Sequence, residues 1–287
     1  MEVYKVVADV EELRWFFENM LNTKERKIQM NESYMICRSA RNKKLSEEER
    51  KEFELGRSEM MRTEILRKPR ERDLSFEDFA RVFYGYEHNV LGMTTKNNKP
   101  YPEKCLVTYI YLNPCSESKC VADTVAYASQ IQRELIDAAV KGSQVGIIEQ
   151  TNKLGSISSH IKSCHSQNPS RKLWIDFDID CSCVDKYINY IHDAFIEKFG
   201  KGNFFMIRTS GGLHIAVDKS KLNFNPNELC GEIFTHIYSN GDADKVSEVT
   251  LNQNCMIPTP GTYQGYHKVN IINKGDFSDN INTATVR

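Results

Sequence analysis

The run KLWIDFDID at positions 172–180 constrains this chain more tightly than any other stretch. Side chains alternate across a β-strand, so Leu173, Ile175, Phe177 and Ile179 fall on one face and Trp174, Asp176, Asp178 and Asp180 on the other. The apolar row predicts burial against helices, which leaves a row of carboxylates on the opposite sheet face. Like charges at neighbouring positions repel unless a cation lies among them. Oxygen ligands of this kind suit Mg²⁺ or Mn²⁺, and two such ions can activate an attacking hydroxyl, neutralise a triphosphate and steady the leaving pyrophosphate.

The residues that follow supply the covering helices. Periodicity predicts strand 173–180, helix 184–199, strand 203–208, strand 213–217, helix 226–239 and strand 246–251, in the order βαββαβ. Val184, Tyr187, Ile188, Ile191, Phe195 and Phe199 recur at helical spacing before Gly200. Asn225 and Pro226 open the second helix, with Leu229, Ile233 and Ile237 directed inward. The order predicts an α+β chain whose C-terminal part is an RRM/ferredoxin-like module: four strands, two helices on one face, and the other face open to a ligand.

Upstream, Val10, Leu13, Phe16, Phe17, Met20 and Leu21 make one apolar helical face. A capping box at Ser46 and Glu49 predicts a charged helix running to about Leu66. Arg62, Arg67, Lys68, Arg70 and Arg72 cluster around Pro69 and read as a soluble connector or a phosphate contact. A short helix opens at Ser75, residues 92–104 read as a loop, and 105–112 as a buried strand. A long helix is expected at 121–141, with Val125, Ala128, Leu135 and Ala139 on its inner side and Gly142 as its stop. There is no internal repeat or low-complexity tract.

A chain of 287 residues, 40% of them hydrophobic, can bury a core without staples. Its net charge of -1 excludes a passive nucleic-acid coat protein, so any nucleic-acid contact must be local. Nine irregularly spaced cysteines and an N-terminus without a basic, then apolar, leader point to a reduced, intracellular protein. No run approaches the ~18 apolar residues of a membrane span, so a soluble protein without a membrane partner is expected.

Two further segments bear on chemistry. In NFFMIRTSGGLHIAV, a Gly-Gly turn joins two apolar strands and lets the backbone approach a ligand. Leu213, Ile215 and Val217 share a face, so His214 is expected to point to the acidic side, where as a donor it can hold a phosphate; Ser210 and Arg208 are weaker candidates for nucleotide contact. The strand VSEVTL offers Glu248 as a third carboxylate, with Asp244 as the alternative and Asp242 behind it.

WIDFDID, RTSGGLH and an acidic strand leading into MIPTPGTYQGYHKV, in that order, resemble the archaeo-eukaryotic primase superfamily. That superfamily includes the small catalytic primase subunits, the primase-polymerases of plasmids and viruses, and the polymerase domains of bacterial end-joining ligases. The motifs span about residues 173–270, and the segment 105–141 is similar to the family's N-terminal αβ unit. The resemblance implies two stacked αβ modules with the site between them, and template-directed synthesis from NTPs or dNTPs on single-stranded DNA. It implies Asp176, Asp178 and the third acid as ligands of two Mg²⁺ or Mn²⁺ ions, and Ser210 and His214 as contacts to the incoming nucleotide. A helicase or accessory replication subunit is the expected partner. The organisation expected is a helical and irregular region at 1–104, the αβ unit of the catalytic core at 105–170 and the RRM-like module at 171–287.

One departure stands out. Many members place an arginine just before the proline-containing turn, where this chain has Met256 and Ile257. Phosphate binding would then fall to His267 and Lys268, or to the Arg62–Arg72 cluster. Some relatives carry a zinc knuckle; here His160, Cys164, His165, Cys181 and Cys183 lack paired CxxC spacing, and structural zinc is not expected. A nucleotide-sugar glycosyltransferase would explain the DxD pattern but leave the SGGLH turn unused. A non-catalytic RRM-like nucleic-acid-binding module would show stacking aromatics where this sequence places acids.

Overall fold

The computed structural model describes residues 4–88, 93–95, 99–252 and 254–277. In chain order its elements are α1 (Val10–Phe16), β1 (Glu32–Ala40), α2 (Glu47–Glu52), β2 (Glu59–Arg67), α3 (Phe76–His88), β3 (Leu106–Tyr111) and β4 (Cys115–Ser116). Three consecutive helices follow, α4 (Glu117–Val140), α5 (Gln144–Gly155) and α6 (Ile157–Gln167). The acid-bearing strand is β5 (Trp174–Cys181), followed by α7 (Ile188–Phe199), β6 (Phe204–Arg208), β7 (Gly212–Asp218), α8 (Pro226–Ile237) and β8 (Val246–Asn252). Short strands close the described chain: β9 (Met256–Pro258), β10 (Tyr263–Gln264), β11 (His267–Lys268) and β12 (Asn270–Ile271).

The result is a mixed α+β fold with two antiparallel sheets. The first has the order β11-β10-β3-β1-β2, with β4 on β1 and β9 on β3; the second runs β12-β6-β7-β5-β8. Residues from all three expected regions meet in the first sheet, because β1 and β2 precede β3 while β9, β10 and β11 come from the chain's last part. The 1–104 region therefore supplies strands as well as helices.

On the second sheet, Phe177, Ile179, Ile215 and Val217 pack with Ile191, Phe195 and Phe199 of α7 and Leu229, Ile233 and Ile237 of α8. Ile175, Phe177 and Ile179 thus face the helices, as the alternation predicts, while Leu173, before β5 begins, packs against the other core. The opposite face is not open along its whole length. Trp174, Phe205, Ile207 and Ala216 join a core built from α1, α3 and the first sheet. Asp176 and His214 on the same face are buried with them, and exposure begins only at Asp178 and Asp180.

Two expectations change upstream. The helix predicted over 46–66 is a short helix followed by a strand. Its capping box forms, with Ser46 N donating to Glu49 Oε2 at 2.7 Å and Glu49 N to Ser46 Oγ at 3.2 Å. Glu54 then turns the chain at φ 54°, and β2 pairs along β1 from Ser33↔Arg67 to Ala40↔Glu59. As an edge strand with charged residues on both faces, β2 hides its two-residue period. In α4 the buried residues are Cys120, Ile131 and Ala138, while Val125 is exposed, so its inner stripe is rotated from the one expected. The 92–104 loop lies partly outside the described residues.

The connector into β5 is tied to the first sheet by Glu32. Arg171 donates to this buried carboxylate through Nε and Nη2, both at 2.8 Å, and Ser170 Oγ also donates. Burial alone would raise the Glu32 pKa, but Arg171, Ser170 and the Gln29 amide outweigh it and hold the group below its ordinary 4.5. A depressed carboxylate stabilises the fold above its unfolded-state pKa and loses that contribution as the pH falls through the folded value. Arg171→Ala should therefore cost about 2 kcal/mol at pH 7, the scale of hydrogen bonds to a charged group. Urea titrations at pH 7 and pH 3 check it: the difference from the parent chain should shrink at the lower pH, and an equal difference at both would be the contrary result.

Candidate functional site

The acids stand at the seam of the two sheets. Across β5 the register sets Asp176 beside Ala216 and Asn252, Asp178 beside His214 and Thr250, and Asp180 beside Gly212 and Glu248. Residues directly opposite one another share a face, so His214, Thr250 and Glu248 stand with the three aspartates.

Asp176 is wholly buried. Its Oδ2 accepts from His214 Nδ1 at 3.0 Å and from Asn252 Nδ2 at 2.9 Å, while Oδ1 is buried with no donor. His214 Nε2 lies 3.7 Å from Asp178 Oδ1, so the imidazole sits between two carboxylates. Lys43 Nζ approaches Asp180 Oδ2 at 3.4 Å from the first sheet's side.

The charges respond to this crowding. Burial raises the Asp178 pKa, repulsion from Asp176, Asp180 and Glu248 adds to it, and His214 alone pulls it down. Burial opposes a charge on His214, yet Asp176 and Asp178 outweigh burial and the repulsion of Arg41, holding its pKa up to about 9. The two carboxylates that flank it thus favour the charged form of His214. Tyr109 is pushed up to about 12, chiefly by burial, with the charges of Asp178 and Asp180 adding and Arg41 opposing.

At its Gly212 end the acid row meets a basic corner. Arg208 binds both oxygens of Asp185 at 2.8 and 2.9 Å and donates to the Gly212 carbonyl at 3.0 Å, so it shapes the TSGG turn and stays paired. Ser210 N donates to Gln264 Oε1 at 2.8 Å, which fixes the turn against β10, while the Ser210 hydroxyl is buried without a partner. His267 Nε2 is likewise buried and unpartnered. Burial lowers the His267 pKa first, and the positive charges of Arg208 and Lys44 lower it further. Lys44 is itself lowered by burial and by Arg41, against the attraction of Asp180.

Arg41, Lys43 and Lys44 are the residues that the sequence reading passed over. Their signal was the RNKK run between a strand and the Ser46 capping box, a surface-like segment whose place only the tertiary fold reveals. Of the residues the reading did single out, several are engaged elsewhere. Lys268 Nζ pairs with Asp9 at 2.6 Å, away from the acids. The basic cluster is largely neutralised by Arg62–Glu64, Arg67–Glu117, Lys68–Asp73 and Arg72–Asp78 pairs. Asp242 is buried among Lys186, Lys245 and the Tyr187 hydroxyl, and Asp244 is exposed in the turn before β8. Glu248 is exposed opposite Asp180.

Among the described residues no three His, Cys, Asp or Glu side chains converge tightly enough to hold one ion in this arrangement. Of the zinc-type residues, His160 stacks on Tyr127 at 3.9 Å, His165 binds Glu117 and the Ile161 carbonyl, and Cys181 and Cys183 lie 3.6 Å apart at the end of β5. No helix among the described residues is long and apolar enough to cross a membrane. Compared with known proteins, the chain matches no family model, and no curated protein or solved structure is significantly similar to it.

Proposed function

We propose that this chain is a metal-dependent nucleotidyltransferase of the archaeo-eukaryotic primase type, joining NTPs or dNTPs on a single-stranded DNA template, with a helicase or accessory replication subunit as partner. The observation that carries this reading is the pairing of the acid row with the basic corner. Asp176 keeps a buried oxygen without a donor beside the destabilised Asp178, and next to them stand cations and an unpartnered hydroxyl suited to phosphate. The strand order β8-β5-β7-β6, with α7 and α8 on one face, is that of a ferredoxin-like βαββαβ module and supports the reading.

By its chemistry the donor set suits a hard divalent cation: the Asp176 and Asp178 carboxylates are oxygen ligands, crowded by Asp180 and Glu248 and faced by His214, Arg41 and Lys43. Mg²⁺ or Mn²⁺ held there would lower the pKa of an attacking hydroxyl and neutralise the α-phosphate, with Glu248, opposite Asp180, as the third carboxylate. His214 holds Asp176 in one orientation and brings positive charge to the acid row. Ser210 Oγ offers a hydroxyl to a phosphate oxygen, and Arg41 and Lys44 neutralise the triphosphate's outer charge.

Incubating the protein with labelled NTPs and dNTPs on single-stranded DNA, with and without a primer, should give product with Mg²⁺ or Mn²⁺ and none with chelator. Absence of product under every metal would remove the transferase reading. Arg41→Ala and Lys44→Ala should each raise the KM for nucleotide about tenfold, the scale of one charge-assisted phosphate contact, and change kcat little. Steady-state kinetics decide this, and a fall in kcat with unchanged KM would place these residues elsewhere in the mechanism.

A further inference from the structure

The apolar stripe of α4 points to solvent. Val121, Val125, Ile136 and Val140 keep 60%, 59%, 54% and 83% of their surface exposed. The helix turns Cys120, Ile131 and Ala138 inward instead, and packs that side on α5 and α6. Beyond the turn at 141–143, Val145 and Ile148 of α5 are exposed as well. Monomeric proteins rarely leave a large contiguous apolar patch uncovered.

The order of the stripe indicates what covers it. Ala122, Val125, Ser129, Gln132, Ile136 and Ala139 are all exposed or nearly so, and follow one another at alternating steps of three and four. That spacing is the seam of a left-handed coiled coil. Read from either end, the seam runs small, branched, polar, polar, branched, small. An antiparallel copy therefore sets Ala122 against Ala139, Val125 against Ile136 and Ser129 against Gln132, and each layer recurs across the two-fold axis. In the central layers a hydroxyl and an amide meet, and each carries a donor and an acceptor for the other.

Charge agrees with this pairing. The seam has no ionisable residue, so it meets its own copy without like-charge repulsion. Arg133, the nearest charge, stands at the rim and is attracted by Glu134 of its own chain. A foreign helix would place no symmetry on the stripe, whereas a second copy of this chain requires it.

We propose that α4 is a self-association surface, on which a second copy of this chain packs antiparallel along the seam from Ala122 to Ala139. The assignment does not depend on the nucleotidyl-transfer reading.

Sedimentation velocity of the full chain tests it. The chain should sediment as a dimer at about 100 μM, above the micromolar Kd of the weaker specific interfaces. Val125→Lys and Ile136→Glu each put an uncompensated charge into one layer. Both positions are exposed in the single chain, so the fold should persist, which circular dichroism checks. Each variant alone should associate about tenfold or more weakly than the parent. Mixed in equal amounts, the two should recover most of the association. The antiparallel register brings the introduced lysine of one chain against the introduced glutamate of the other, and leaves Ile136 against Val125 in the matching layer. Val125→Lys mixed with Val125→Glu should recover nothing, because each new charge then faces an unaltered Ile136.

A chain that stays monomeric at about 100 μM overturns the proposal and leaves the stripe to a different partner. A dimer indifferent to both substitutions also overturns it, since the contact would then lie on another surface. So does recovery in the second mixture rather than the first, which would mean that the helices run parallel.

Discussion

Asp176→Asn is expected to reduce nucleotide incorporation by roughly 10³-fold or more, about 4 kcal/mol at the barrier, the scale of an essential ligand in metal-assisted phosphoryl transfer. The substitution keeps the side chain's shape in a site with no exposure, so it tests charge rather than packing. Its structural effects partly offset each other. Asp178 loses a repelling neighbour, and His214 loses the carboxylate that accepts from its Nδ1 at 3.0 Å. The fold should therefore survive, with a melting temperature close to that of the parent chain. Asp242→Asn is the useful contrast, because Asp242 pairs with Lys186 and Lys245 and lies outside the acid row. That change should lower the melting temperature and leave kcat/KM of the folded fraction unaltered. An Asp176→Asn protein that incorporates nucleotide at the parent rate, with its fold intact, would take this carboxylate out of the chemistry.

The parts of this arrangement that local sequence could reveal are those governed by local periodicity. Alternation in β5 was enough to put Phe177 and Ile179 toward the helices and Asp176 and Asp178 on the other face, because a strand's period leaves only two choices. The same rule put His214 on the face of the acids, since Leu213 and Ile215 had to face inward; that it stands beside Asp178 is set by the strand register. What stayed hidden depends on chain segments far apart in sequence. Burial of Trp174 under α1 and the first sheet comes from packing that no local pattern encodes. Lys43 reaches Asp180 across 137 positions, and nothing in RNKK distinguishes it from an ordinary solvated turn. For Lys268 and the Arg62–Arg72 cluster the limit is complementary: positive charge is visible in sequence, but the carboxylates that pair with it are not. The α5 and α6 segments carried too weak an apolar period to announce helices, and each packs mainly within the α4–α6 group.

Gly212→Ala should abolish the site by another route, through the sheet itself. A Cβ at this position would lie 1.8 Å from the Ile179 carbonyl oxygen and 3.0 Å from the Cys181 amide nitrogen. Both are backbone atoms of β5, so no side-chain rotation relieves the clash, and β7 must draw away from β5 at the Asp180↔Gly212 pair. Gly212 has no positive φ, so the demand is for space rather than for a left-handed backbone. Breaking register in the middle of the second sheet should cost roughly 4 kcal/mol or more, at the upper end of single-substitution effects. Gly211→Ala separates the two explanations. Its Cβ would meet Asp180 Oδ1 at 3.2 Å, the movable end of a half-exposed side chain, and the cost should stay within about 1 kcal/mol. Denaturant titration of the two variants measures the difference directly. Equal stabilities would mean that β5 and β7 do not approach this closely, and the seam that holds Ser210 and His214 against the acids would have to be rebuilt.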